Sequence, residues 1–319
     1  MGSRAPADRE DTRPLGSNST GPVPVAIVVP VLNEAGSIAS CLERLRRDFA
    51  DCELLVVDGG SSDATVSLAE PFARILGSVP GRAAQMNAGA AATTASVLWF
   101  VHADCVIDPR ALGQLQAALR DPQVVGGGLS LRFDRRSLGL DYLAWASTKR
   151  ARHLHEVFGD QAMFVRRDVF EALGGFPELA IMEDLELSRR LARRGRLAVL
   201  PATSTASSRR FDEHGTWSMI AFMQALKAGY FLGVDAGRLG RLYRAGPPWQ
   251  RTGRRRTRTA EAAAETTSRE PSRAAGVEQL PESTTPRAEV SLRVPTWANT
   301  IGPSAPQHGP AHAPSATER

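Results

Sequence analysis

The run Val25–Val31 (VAIVVPV) constrains the fold more than any other segment, because seven consecutive apolar residues leave no polar edge for solvent. A strand of that kind is covered on both faces, as in a parallel sheet packed between helices. The pattern then repeats. Ser37–Phe49 has helical spacing (Ile38, Cys41, Leu42, Leu45, Phe49), and Glu53–Val57 (ELLVV) is a second buried strand. A short helix and a third strand near Ala73–Leu76 follow, then a small-residue helix over Arg82–Ala92 and a fourth strand, Val97–Val101. Pro109–Leu119 reads as helix and Val124–Phe133 as extended. Strands alternating with helices predict an α/β domain with a mostly parallel central sheet flanked by helices.

Ligands of such sheets gather at the carboxyl ends of the strands. Asn33 and Glu34 follow the first strand, Asp58 the second and Asp104 the fourth. Three acids on one rim are hard to explain as packing. Asp104, in a His-Ala-Asp turn, suits a hard divalent cation, since magnesium and manganese often reach a protein through one or two carboxylates. The competing role is a cap for the helix near Pro109, for which Asp108 is better placed. Asp58 leads into Gly-Gly-Ser-Ser-Asp, where it could accept hydrogen bonds from a nucleobase or ribose, or simply shape a strand-to-helix turn. Gly159–Val165 (GDQAMFV) sets polar groups, Gln161 among them, beside another buried strand. Met182-Glu183-Asp184 opens an amphipathic helix, where the helix dipole alone would favour acids such as Glu183 and Glu186. Arg209-Arg210 could hold a diphosphate bidentately, or be a solvated pair.

Several classes are excluded by what the sequence lacks. There is no Gly-x-Gly-x-x-Gly after the first strand, no Gly-Lys-Ser/Thr phosphate loop and no Gly-x-Ser-x-Gly elbow. Three widely spaced cysteines (Cys41, Cys52, Cys105) give neither a disulfide framework nor a metal-ligand spacing, which points to a reducing compartment. The start of the chain has no apolar signal core and no apolar run is long enough to span a bilayer, so a cytoplasmic location is expected. The net charge is +5, but from Gly246 onward there are ten arginines and seven glutamates, which weakens a nucleic-acid reading. Residues 1–23 and the Arg/Pro/Ala-rich residues 246–319 are polar and aperiodic, and both are expected to be disordered around a domain spanning 24–245.

Four ordered motifs, Val29-Pro30-Val31-Leu32-Asn33-Glu34, Val57-Asp58-Gly59-Gly60-Ser61-Ser62-Asp63-Ala64-Thr65, His102-Ala103-Asp104 and Met182-Glu183-Asp184, resemble those of the family 2 glycosyltransferases over essentially all of 24–245. The resemblance implies a GT-A fold, with a nucleotide-binding α/β half joined to an acceptor-binding half. It implies that the Pro30–Glu34 loop and Asp58 hold the nucleotide, that Arg82 contacts it, and that Arg209-Arg210 lie near the diphosphate. Asp104 matches the last acid of the Asp-x-Asp motif, which binds Mn2+ or Mg2+, and Asp184 matches the catalytic base. His102 stands where the family has the first acid, and is a candidate second metal ligand. The implied activity is inverting transfer of a sugar from a nucleotide-sugar donor, a UDP-sugar by default, to an acceptor hydroxyl or carboxyl in cell-envelope or glycolipid synthesis. The apolar stretch Trp217–Leu232, with Arg238, Arg241 and Arg244 after it, raises a peripheral membrane position and a lipid-linked or carotenoid acceptor, against the plainer expectation of a packed helix. The alternatives are a non-catalytic nucleotide-sugar-binding domain, favoured only by His102, and a sugar-phosphate nucleotidyltransferase, disfavoured by the Leu-Asn-Glu turn.

Overall fold

The computed structural model describes residues 22–249, so the expectations for residues 1–21 and 250–319 lie outside the described residues. The elements run in order: β1 (Val25–Val31), α1 (Ile38–Asp48), β2 (Glu53–Asp58), α2 (Thr65–Ala69), β3 (Arg74–Gly77), α3 (Arg82–Ala91), β4 (Val97–Phe100), β5 (Val106–Ile107), α4 (Ala111–Ala118) and β6 (Val124–Phe133). Then come α5 (Leu138–Leu154), a 3-10 turn at Gly159–Gln161, β7 (Phe164–Arg166), α6 (Arg167–Ala172), α7 (Glu183–Ala192), β8 (Arg196–Ala206), α8 (Arg209–His214), α9 (Thr216–Phe231) and α10 (Ala236–Ala245).

One eight-stranded sheet, ordered β3-β2-β1-β4-β7-β6-β8-β5, carries the domain. It is α/β and mainly parallel, as expected: β1–β2, β1–β4, β2–β3 and β6–β8 pair in parallel. The β4–β7, β5–β8 and β6–β7 pairs are antiparallel. All seven residues of β1 are buried, and their alternation splits them between two layers. Val25, Ile27, Val29 and Val31 pack with α1 (Ile38, Leu42, Leu45) and α4 (Leu115). Val28 faces the other way, with Ala83, Met86 and Ala90 of α3 and Leu187 and Leu191 of α7. A third cluster joins α5, α7, α9 and α10 through Leu140, Leu185, Phe222, Leu226 and Leu239.

Because β1, β2 and β4 are parallel neighbours, their carboxyl ends open on one rim, which brings the Asn33, Asp58 and Asp104 turns together. Trp99 of β4 fixes the far side of that rim. It is fully buried, edge-on to Phe49 at 5.1 Å, and its indole N–H donates to the Ala162 carbonyl at 3.1 Å. Trp99 thereby anchors the turn that follows Gly159. Among the described residues no helix is long and apolar enough to cross a membrane; Trp217–Leu232 instead forms α9, whose Met219, Ile220, Phe222 and Leu226 are buried.

Candidate functional site

On the first side of the rim, the loops after β1 and β2 are bonded into one unit. Asn33 donates its backbone N–H to Ser61 Oγ (2.9 Å), while its Oδ1 accepts from the Ser62 N–H (2.9 Å). Glu34 N–H donates to Thr65 Oγ1 (2.7 Å), and the Glu34 carboxylate accepts from Ser37 Oγ (2.9 Å). Asp58 accepts from the Gly60 and Ser61 backbone N–H groups at 3.0 Å, so its carboxylate shapes the turn as the sequence allowed. Asp63 accepts from the Thr65 and Ala35 backbone N–H groups. Pro30 lies within β1, buried, one residue short of this loop.

The base of these loops is held by a residue outside the expected set. Gln85, buried on α3, donates its amide to the Val31 and Val57 carbonyls (2.7 and 2.8 Å), joining the ends of β1 and β2. Asn87, two residues on, clamps the Phe176 backbone through both ends of its amide. Two amides on a helix otherwise built of small residues were the available signal.

The second side of the rim gathers charge. Gly159 sits at its centre: its N–H donates to Asp184 Oδ2 at 2.7 Å, and a side-chain carbon added there would lie 2.6 Å from the His102 ring and 3.5 Å from Asp184 Oδ2. His102 and Asp184 therefore flank the same backbone unit. The other Asp184 oxygen accepts from the Leu185 N–H (2.7 Å), which fixes the plane of the carboxylate at the start of α7. Arg82 pairs with Glu183, 3% exposed, at 3.1 Å. Burial opposes the Arg82 charge, but Glu183, Asp184, Tyr243 and Asp160 together hold its pKa above the usual value. Burial, eased by Arg82 and reinforced by Asp184, raises that of Glu183.

Two further groups respond to the same field. Burial and the Arg82 charge bring His102 down to about 4, against the pull of Asp104 and Asp184, so the imidazole is neutral near pH 7. Burial and Asp184 push Asp160 up to about 6, with Arg150 and Arg82 opposing. Asp160 Oδ1, Glu183 Oε2 and Arg150 Nε are buried without a hydrogen-bond partner. Such atoms are rare in folded proteins and are commonly met by water or an ion.

A divalent cation fits this set. Ligand atoms of His102, Asp104 and Cys105 lie within 4.8 Å of one another, and His102 is in its ligating, neutral form. Burial holds the Cys105 thiol well above its usual pKa, so Cys105 stays protonated and is a poor ligand.

The remaining expected residues fall in two places. Gln161 is wholly buried; its Nε2 donates to the Leu129 carbonyl (3.1 Å) and its Oε1 accepts from the Phe158 N–H (3.3 Å), so its amide holds the turn against β6 rather than facing a ligand. Arg209 and Arg210 are exposed on α8, and the Arg210 guanidinium stacks on Tyr243 at 4.6 Å. Tyr243 is also one of the groups that raise the Arg82 pKa. A cavity of about 240 Å³ opens there, lined by Arg210, His214, Tyr243 and Arg244. Tyr243 was not legible as a site residue, since nothing near it in sequence resembles a motif.

The backbone is also unusual here. Asn33, His155, Ala162 and Met182 adopt positive φ (56°, 55°, 48° and 69°), and Met182 directly precedes Glu183 and Asp184. For residues other than Gly and Asn this conformation costs of order 1–3 kcal/mol and concentrates at functional sites.

The chain is similar to several known proteins. The sequence profile described as Glycosyl transferase family 2 matches residues 26–174, from β1 to the end of α6. The chain is 27% identical over 169 residues to the glycosyltransferase AglE of Haloferax volcanii, covering 48% of this chain and 56% of that protein. It is 36% identical over 88 residues to a PGL/p-HBAD biosynthesis glycosyltransferase of Mycobacterium bovis, covering 25% of this chain and 34% of the other. The chain thus spans about half, or less, of the length of these curated relatives. Among solved structures, a Pyrobaculum calidifontis mannosyltransferase in complex with GDP-Man and Mn2+ is similar at TM-score 0.47 and 19% identity, over 65% of each chain. From β1 to α6 the chain is thus similar to glycosyl transferase family 2.

Proposed function

We propose that the protein is an inverting glycosyltransferase that moves a sugar from a nucleotide-sugar donor, a UDP-sugar before a GDP-sugar, to a hydroxyl of its acceptor. The observation that carries this reading is the convergence of His102, Asp184 and the Arg82–Glu183 pair around Gly159, at the carboxyl rim of the sheet. In this reading the knitted Asn33–Asp58 loops seat the nucleoside. Asp104 and His102 would hold Mn2+ or Mg2+, which when bound would neutralise charge on the diphosphate. Arg82 adds a fixed positive charge beside the leaving group, and Arg210 a second one across Tyr243.

Asp184 is the base. Its plane is set by two backbone N–H donors, and it takes the acceptor proton as the acceptor oxygen bonds to the anomeric carbon. The bond from that carbon to the diphosphate oxygen breaks in the same step, and its electron pair leaves on the nucleoside diphosphate. One displacement with one base inverts the anomeric configuration.

Calorimetric titration with UDP and GDP, each with and without Mn2+, tests the donor site. Manganese-dependent binding of one nucleotide, lost in Asp104→Ala, is expected. Binding of neither under any condition overturns the proposal.

A further inference from the structure

We propose that the outer face of α5 and α9 is a docking surface for an anionic lipid bilayer. The two helices lie side by side and run the same way. At their starts, a side chain added at Gly139 would meet Thr216 of α9 at 2.6 Å; at their ends, Lys227 of α9 bonds Glu156 just beyond α5. Both turn apolar residues outward. On α5, Leu138 (88% exposed), Tyr142 and Trp145 (59%) follow one another at helical spacing. On α9 the outward stripe is Trp217 (62%), Ala221, Ala225, Ala228 and Leu232, with no charged residue in it. The rings form one patch, Tyr142 lying 6.1 Å from Trp145 and 6.3 Å from Trp217.

A contiguous exposed apolar face marks an interaction site, and its chemistry selects the partner. Tryptophan and tyrosine suit the boundary between headgroups and acyl chains, having an apolar body and one polar tip. Charge selects the sign of the surface. Over α5 and α9 the acidic residue is Asp141, engaged with Arg136 at 3.6 Å, against Lys149, Arg150, Arg152 and Lys227. Both lysines of the chain are in this set. Arg150 and Lys227 turn inward to Glu156 and Phe158, while Lys149 and Arg152 stay exposed beside the aromatic patch. α10, packed on α9, adds Arg238, Arg241 and Arg244 with no acid in its span. An amphipathic surface of this composition lies in the plane of an anionic leaflet without crossing it. The inference does not depend on the transferase reading.

The test is sedimentation of the full-length protein with vesicles of phosphatidylcholine alone and of phosphatidylcholine with phosphatidylglycerol, at low and high salt. Wild type is expected to pellet with the anionic vesicles and to be partly released by salt. Trp145→Ala/Trp217→Ala should lose about tenfold in partitioning, with its thermal midpoint unchanged because both rings are exposed. Lys149→Glu/Arg152→Glu should abolish the preference for phosphatidylglycerol. Three results overturn the proposal: no pelleting with either vesicle, equal pelleting of the tryptophan variant, or wild-type self-association that this variant abolishes while neither protein binds lipid.

Discussion

The two sides of the rim are built on opposite principles. On the β1–β2 side every polar group named above has found a protein partner: Asn33 and Asp63 spend their side chains on the facing loop, Glu34 and Asp58 on their own. On the β4–α7 side, Asp160 and Glu183 each bury a carboxylate oxygen that accepts no hydrogen bond. The first is a finished cradle, rigid before anything arrives. The second is held in tension by charges that compensate only in part, and its electrostatics improve when a cation and a diphosphate enter. A saturated cradle gives a site its shape, whereas an unsaturated one gives it a reason to bind.

Substitutions should separate the two sides by size of effect. Gly159→Ala should have the largest, because the new methyl must displace His102 or break the bond to Asp184; about a hundredfold loss of turnover is expected, from misplacement near an ångström, with donor hydrolysis as the assay. Arg82→Ala strands the buried Glu183 carboxylate and should cost about 2 kcal/mol, below the figure for a fully buried pair because Arg82 is partly exposed. Glu183→Gln should cost clearly less by denaturant unfolding, and equal losses would contradict the buried-charge account.

Asp160 gives a prediction of sign. Its folded pKa, about 6, lies above the ordinary carboxylate value, so its contribution to stability is full below the unfolded pKa and is lost as pH rises through about 6. A bound cation favours the ionised form and reverses this. Manganese should therefore raise the melting temperature more at pH 7.5 than at pH 5.5. Asp160→Asn should raise the melting temperature of the metal-free protein while weakening Mn2+ binding; a variant destabilised without metal would break the account. The smallest effect belongs to the cradle: Asn33→Ala should cost about 1 kcal/mol, the worth of its bond to the Ser62 N–H, and leave Mn2+ affinity unchanged.

Much of this could be read from residues alone, and the reason is burial. Val25–Val31, Glu53–Val57 and Val97–Val101 are covered on both faces, so apolar runs located β1, β2 and β4 within a residue, and the rim rule then grouped Asn33, Asp58 and Asp104. β7 was legible as a buried strand after Gln161, but its antiparallel pairing with β4 and β6 was not visible, since register leaves no local trace. α5 escaped because Tyr142 and Trp145 face outward and blur its amphipathic period. Asp160 and Tyr243 escaped for another reason. Each acquires its role from Arg82, some 80 or 160 residues away, and no spacing encodes such a meeting.

Release of nucleoside diphosphate from a UDP-sugar by Asp184→Asn, measured beside its affinity for UDP with Mn2+, tests the central division of labour most directly. In the proposed reading Asp184 takes the proton while the rest of the rim binds the donor. The account predicts UDP affinity within about twofold of wild type and turnover lower by about a hundredfold or more. Wild-type turnover in the variant, or loss of nucleotide binding together with turnover, would contradict it.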